Sequence, residues 1–308
     1  MTKEKKNIPL KQIEEVILHN PKASNWLIRS YLNNILDTLD RFLITNTTWS
    51  NIDEDVIQKI AEMEDIRDSF IDLTDLVFKF DLDVNLEIFK EFFEKLIGYP
   101  NKVKKSLNTF NELQFDHFLF ITHELFLYMI AVLLKYTLYN HINYFISENY
   151  FCEWFYEQID PISFTWIRHY IRSLDEIKNS KLESKRISVT ADTIKERAIR
   201  HDINFDDLRN ADIVLYTFGS LFYNTWRWPI LSIFWGHNHR INILLFQKLS
   251  SQIFFDKVKN IFRVKNIAEF KELLSEAQER NSKTNYSIDW RNIPDMSDIF
   301  DIEKIATI

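Results

Sequence analysis

The scarcity of glycine is the feature that most constrains the fold of this chain. It has 3 glycines in 308 residues, where average usage of about 7% would give roughly 22. Glycine supplies the positive-φ positions of tight turns, hairpin loops and β-bulges. The 6 prolines also lie far apart, and long stretches without either breaker favour helices. The sequence therefore predicts an all-α protein, either a multi-helix bundle or an irregular helical array.

Hydrophobic periodicity locates the helices. Apolar residues recur every three or four positions, as in Phe89, Phe92, Phe93 and Leu96, which indicates amphipathic helices with one buried face each. The segment 226–235 is the exception, because its proline and β-branched residues favour at most one or two short strands. The predicted helices span 9–19, 22–45, 52–63, 65–80, 85–97, 110–138, 140–158, 161–178, 190–201, 205–223, 238–262 and 266–280.

Charge and local composition suggest two regions. Residues 53–83 carry eleven Asp and Glu against three Lys and Arg, whereas residues 178–200 carry seven Lys and Arg against three acids. Gly98, Pro100 and the basic residues after them predict a linker at about 98–105. We expect an acidic helical region over 1–98 and a larger helical domain over 106–308, with a Trp-rich segment at 212–235.

Several features predict a cytoplasmic protein without a membrane partner. Cys152 is the only cysteine, so no intramolecular disulfide can form, and an unpaired thiol suits a reducing compartment. The charged N-terminus has no secretory signal pattern. The longest apolar run, from Leu125 to Leu134, is about half the length needed to span a bilayer and indicates a buried helix. The net charge of −7 does not favour a general nucleic-acid-binding role.

Common cofactor and metal motifs are missing from the sequence. Without a Gly-rich loop there is neither a Walker A pattern nor a dinucleotide fingerprint, and we expect no cofactor. The pair His123-Glu124 begins a His-Glu-x-x-His motif, but Leu127 replaces the second histidine. A buried hydrogen bond between His117 and Glu124 is the simpler expectation for that helix. No metal site is predicted, although His237 and His239 are weak candidates for metal ligands.

Arg197, Arg200, His201 and Asp202 form the densest polar cluster. Arg and His on adjacent helical turns suit a phosphate or carboxylate, so these four residues are weak catalytic candidates. The spacing of Arg197 and His201 departs from the Arg-x4–6-His pair of helical ribonucleases. A structural ion-paired helix terminus, with Asp202 and Asp206 as partners, is the alternative. Weak candidates for nucleic-acid contact are Lys181, Lys185, Arg186, Arg197 and Arg200.

The Trp-rich segment is the most unusual stretch. Aromatic residues and arginine are enriched at the centres of protein interfaces, and the predicted partner-binding residues are Tyr223, Trp226, Arg227, Trp228 and Trp235. The segment resembles C-terminal helical segments of bacterial phage-defence proteins, although the resemblance identifies no family.

The leading hypothesis is a non-enzymatic helical interaction or regulatory subunit of an intracellular, bacterial complex. We expect another protein chain as its partner, and homo-oligomerisation stays open. The alternatives are a phosphodiester- or nucleotide-acting enzyme and a nucleic-acid-binding component, within a phage-defence system, that uses Arg197, Arg200 and His201.

Overall fold

The computed structural model confirms an all-α protein with one short pair of strands. Buried apolar side chains from Ile13 to Ile305 form one core cluster. The structure describes residues 10–19, 21–45, 50–80, 84–153, 159–223, 229–234, 243–283, 294 and 296–308.

The first part of the chain is a succession of helices packed through aromatic side chains. Phe70 of α4 contacts Phe92 and Phe93 of α5, with ring centroids 5.3 and 5.7 Å apart. The helices are α1 (Leu10–His19), α2 (Pro21–Asp37), α3 (Ile52–Glu62), α4 (Glu64–Phe78) and α5 (Glu87–Ser106), with a 3-10 turn at Leu39–Phe42.

Helix α5 continues through the predicted linker, so the expectation that the helix ends at residue 97 is wrong. Tyr99 and Val103 are buried. The Tyr99 ring lies 4.8 Å from the Phe118 ring, and its hydroxyl donates to Asp40 at 2.5 Å. These contacts outweigh the low helix propensity of Gly98 and Pro100, because tertiary packing overrides intrinsic propensity. The division into two domains at this place stays a prediction.

Helix α6 (Asp116–Lys135) is the central helix and follows a 3-10 turn at Glu112–Phe115. It contacts α3, α4, α5, α7 (Tyr139–Ser147) and α10 (Phe205–Phe222). The stretch Glu112–Lys135 is long and apolar enough to cross a membrane by length and composition alone. Its most apolar 18-residue window has a mean hydropathy of 1.8, but 89% of that window is buried inside the protein. A helix apolar on all sides is expected at the centre of a core.

A two-stranded antiparallel sheet interrupts the helices. Strands β1 (Tyr150–Glu153) and β2 (Ile159–Ile162) pair so that Tyr150 faces Ile162 and Phe151 faces Pro161. The helices predicted over 140–158 and from residue 161 are therefore wrong in this stretch. Proline is compatible with a strand that has a free edge, so Asp160-Pro161 lies in a strand rather than at a helix start.

The last part of the chain consists mainly of short helices. The predicted strands near 226–235 are not found where the structure describes this segment, since Ile230–Phe234 is a 3-10 helix. The elements are 3-10 turns at Phe164–Trp166, Lys248–Ser250, Lys259–Phe262 and Ile302–Lys304, a π-helix at Ser173–Lys178, and helices α8 (Asn179–Lys181), α9 (Val189–Arg197), α11 (Leu244–Gln247), α12 (Gln252–Val258), α13 (Ile267–Lys283) and α14 (Met296–Ile299).

Candidate functional site

Arg197, at the end of α9, is part of a buried ion pair. Its guanidinium donates from Nε and Nη2 to the two carboxylate oxygens of Glu124 at 2.8 and 2.9 Å. A third bond runs from Nη1 to the carbonyl oxygen of Ile60 at 2.7 Å. The Glu124 side chain is fully buried. The His117–Glu124 hydrogen bond expected from the sequence is therefore wrong, because Glu124 binds Arg197 instead.

Arg67, whose side chain is buried, extends this cluster. Arg67 donates to the Arg197 carbonyl oxygen at 2.7 Å and also to Glu64 and Asp68, both at 2.9 Å. Burial lowers the pKa of the Arg67 guanidinium, but the carboxylates of Glu124 and Asp68 outweigh it, so the pKa is raised overall. The pKa of the nearby Tyr128 hydroxyl is raised, mainly by burial and to a smaller extent by the charge of Glu124. This arrangement satisfies both guanidinium groups internally.

The other members of the predicted catalytic cluster lie outside the helix. Helix α9 ends at Arg197, so Arg200, His201 and Asp202 do not share a helical edge with it. Arg200 donates to both carboxylate oxygens of Asp202, at 2.9 and 2.8 Å, and to Asp72 at 2.7 Å. The Asp202 hydrogen bonds raise the pKa of Arg200 despite partial burial. His201 is exposed, while Asp206 pairs with Arg209 at 3.5 Å.

The remaining basic candidates also have partners within the chain. Lys181 donates to Asp53 and to the Ser50 carbonyl oxygen, both at 2.5 Å. Lys185 donates to backbone carbonyl oxygens of Asn179 and Ser180. Arg186 lies 3.8 Å from Asp192. The predicted nucleic-acid-binding cations therefore contact groups in the protein's own loops and helix ends.

Of the predicted partner-binding residues, Tyr223 is described. Its hydroxyl donates to the Ile146 carbonyl oxygen at 2.7 Å, and Arg263 donates to that hydroxyl at 3.3 Å. No group of three or more potential metal ligands occurs among the residues that the structure covers. The candidates Trp226, Arg227, Trp228, Trp235, His237 and His239 lie outside the described residues.

A small cavity brings together three polar groups that sequence reasoning did not combine. The cavity has a volume of about 30 Å³. Its polar lining residues include His123 of α6, Asp212 of α10 and Arg168, which follows the 3-10 turn at Phe164–Trp166. Phe164 and Gly219 also line it. The backbone N–H of Leu231 donates to Asp212 at 2.8 Å. The available signal was weak, since the three groups lie far apart in the sequence and no spacing connects them.

Burial determines the protonation of this cavity. It raises the pKa of the Asp212 carboxyl to about 6, against the opposing effects of Arg168 and the Leu231 N–H. It also lowers the pKa of His123 well below its ordinary value, together with the charges of Arg168 and His169. A space of this volume holds about one or two water molecules.

The strand pair carries an exposed apolar face that the helical prediction missed. Phe151 and Ile159 are 52% and 62% exposed, whereas Tyr150 and Ile162 on the opposite face are buried. We call Phe151, Ile159 and Pro161 the hairpin face.

The surroundings of the hairpin face are acidic. The Nζ atom of Lys90 lies 3.1 Å from a carboxylate oxygen of Glu87, 4.0 Å from one of Glu94 and 3.9 Å from one of Glu148. The N–H of Phe151 donates to Glu94 at 2.9 Å. Three carboxylates lie within 4.0 Å of this one cation, so these ion contacts carry an excess of negative charge beside the Phe151 ring, which Lys90 Nζ approaches to 5.9 Å.

Comparison of the chain with protein-family models, curated proteins and solved structures finds no match in any of the three.

Proposed function

We propose that the chain is a non-enzymatic helical interaction subunit that binds a protein partner through the hairpin face. The observation that carries the proposal is the outward exposure of Phe151 and Ile159 beside an acidic rim. Apolar side chains at the centre of a patch with charged residues around it are typical of protein interfaces. The complementary partner has an apolar contact surface flanked by Lys or Arg.

The state of the predicted catalytic cluster supports this proposal over the enzymatic alternative. Arg197 and Arg200 direct their guanidinium groups to carboxylates of the same chain. A phosphate or carboxylate ligand would have to displace these bonds, and the Arg197 pair is buried as well. Breaking these internal bonds would weaken the affinity for the ligand. The same competition disfavours nucleic-acid binding by this set of residues.

Site-specific photocrosslinking tests the proposal. A photoreactive amino acid is placed at residue 159 of the full chain, in the cell of origin, and a matched control carries it at Ile253, which is 72% exposed but belongs to α12. We expect one stoichiometric protein adduct from position 159 and none from position 253. Phe151→Ser, tested with the photoreactive residue still at 159, should abolish that adduct without changing the thermal midpoint.

Two results would contradict this function. Equal adducts from both positions would mean nonspecific contact, and no adduct from position 159 would remove the hairpin face as an interface. Added salt should weaken the complex, because acidic rims attract basic partners through screened electrostatic interactions. A complex that tightens with salt would contradict the assigned charge of the partner.

A further inference from the structure

A separate basic surface lies at the junction of α6, α7 and α12. Residues 248–265 carry five Lys and Arg against one acid, Asp256. The Asp256 carboxylate accepts hydrogen bonds from Gln252 at 2.9 Å and Lys259 at 3.0 Å. It is therefore already engaged by its own segment.

A groove of about 410 Å³ opens on this surface. Its volume lies within the range of small-ligand sites, roughly 300–1,000 Å³. None of its lining residues is acidic. The lining residues are Thr137, Tyr139, Asn140, Lys248, Phe254, Lys257 and Val258.

Within the described part of the chain, the two lysines of this groove lack the ion-pair partners that Lys181, Arg197 and Arg200 have. Lys248 and Lys257 are exposed, and neither forms an ion pair with a residue that the structure describes. Lys248 Nζ lies 5.7 Å from the centre of the Phe254 ring. An anion that enters the groove can thus meet two ammonium groups without breaking an existing salt bridge.

Aromatic and hydrogen-bonding groups complete the lining. Phe254 and Tyr139 meet edge to face with ring centroids 5.8 Å apart, so the half-buried Phe254 is held in place beside the lysines. Thr137 and Asn140 add a hydroxyl and an amide. A groove that combines lysines with an aromatic ring fits a ligand with both a phosphate and a planar base, because bases stack on aromatic side chains while phosphates bind ammonium groups.

We propose that this groove binds a nucleotide, with the phosphate at Lys248 and Lys257 and the base against Phe254. The site is independent of the hairpin face and of the Arg197 cluster. It adds a small-molecule ligand to an interaction subunit and requires no catalysis.

Titration calorimetry of the full chain with adenosine monophosphate tests the site at low ionic strength. We expect saturable binding that Lys248→Gln and Lys257→Gln each weaken at least about tenfold, the loss typical of one charge-assisted contact. Lys102→Gln removes one exposed charge from α5 and is the matched control, so its affinity should equal that of the unmodified chain. Thermal midpoints of all variants check that they fold alike.

Two further probes separate the parts of the ligand. Inorganic phosphate and adenosine should each bind more weakly than the nucleotide, and Phe254→Leu should reduce the affinity for the nucleotide but not for phosphate. The proposal is overturned if no saturable binding occurs, or if the lysine variants bind as well as the Lys102 control. Equal affinity for phosphate and nucleotide would reject the nucleotide as the ligand.

Discussion

At the scale of single residues, this chain makes left-handed backbone without glycine. Positive φ occurs at Thr137, Arg263 and Ala306, with values of 56°, 55° and 54°, and at no glycine that the structure describes. Gly98 and Gly219 lie inside helices instead. Scarce glycine therefore predicts helices correctly, yet neither of the two glycines that the structure describes marks a turn.

Replacing Thr137 by glycine should stabilise the fold. Thr137 follows α6, and its N–H donates to the Leu134 carbonyl oxygen at 3.1 Å, a position where glycine is usual. Left-handed backbone costs a residue with a Cβ about 1–2 kcal/mol, and the added flexibility of unfolded glycine offsets about half of that. Urea unfolding should show a net gain of roughly 0.5–1 kcal/mol. Thr137→Ala keeps the Cβ, and an equal gain there would contradict the explanation.

The buried ring of His117 should make stability depend on pH. Burial lowers its pKa to about 3, although a hydrogen bond with the Phe42 backbone and the charge of Glu62 act in the opposite direction. Its unfolded pKa is about 6.5, so the unfolded chain binds a proton that the folded chain excludes. Stability from this residue is therefore present above pH 6.5 and is lost as the pH falls towards 3, by up to about 1.4 kcal/mol per unit.

Urea unfolding at several pH values between 7 and 4 measures this effect. His117→Leu should flatten the loss of stability on acidification relative to the unmodified chain. His201→Gln removes an exposed imidazole and serves as the control. A pH profile unchanged by His117→Leu would show that the ring does not resist protonation in the fold.

At the scale of secondary-structure elements, side-chain caps define several helix starts. Asn204 and Asp207 form a reciprocal capping box at α10. Asn266 accepts from the Glu269 N–H at 3.0 Å, as its spacing predicts. Asn51 has the same spacing but makes no capping hydrogen bond at α3. Spacing therefore identifies residues able to cap, while the local backbone decides which of them do.

Gly219→Ala should stabilise α10. A Cβ at this position would lie 3.5 Å from Thr165 Cγ2 and 3.9 Å from Phe164 Cζ, both ordinary contacts. Alanine in a helix interior is about 0.8–1.0 kcal/mol more favourable than glycine. We expect a higher thermal midpoint in calorimetry. A lower midpoint would mean that the wall of the adjacent cavity cannot accept a methyl group.

At the scale of the whole molecule, opposite charges join distant parts of the chain. Acidic residues of α3 and α4 pair with cations far along the sequence, as Asp53 does with Lys181, Asp72 with Arg200 and Asp75 with Lys135. The uneven charge distribution in the sequence therefore reflects contacts within the fold.

Arg197→Met should be strongly destabilising, because it leaves the buried Glu124 carboxylate without its ion-pair partner. Removing one partner of a buried ion pair typically lowers the free energy of unfolding by about 3–5 kcal/mol. Arg200→Ala breaks more exposed pairs and should cost about 1 kcal/mol or less. Urea unfolding of both variants measures the difference, and the double variant Arg197→Met/Glu124→Leu should recover part of the loss. If Arg197→Met and Arg200→Ala lowered the free energy of unfolding by similarly small amounts, a structural role for the Arg197 pair would be contradicted.

The predictions that succeeded rested on local physical preferences. Periodic apolar residues correctly indicated α3, α4 and α9 to within one residue at the start of each helix, because one face of each must be buried. The strand pair was missed because its eight residues depend on pairing with each other. The cavity was missed because His123, Arg168 and Asp212 come from distant positions, and no local spacing signals their convergence.

The sequence by itself determined that this chain is helical, since few residues break helices and many repeat with the helical period. The fold adds that the single thiol is buried, and burial raises the pKa of Cys152 to about 12. Only the tertiary structure decided which polar residues are available to ligands. Long-range contacts engage Arg197 and Arg200 internally while Lys248, Lys257 and the hairpin face stay exposed, and such contacts depend on the folded arrangement rather than on neighbouring residues.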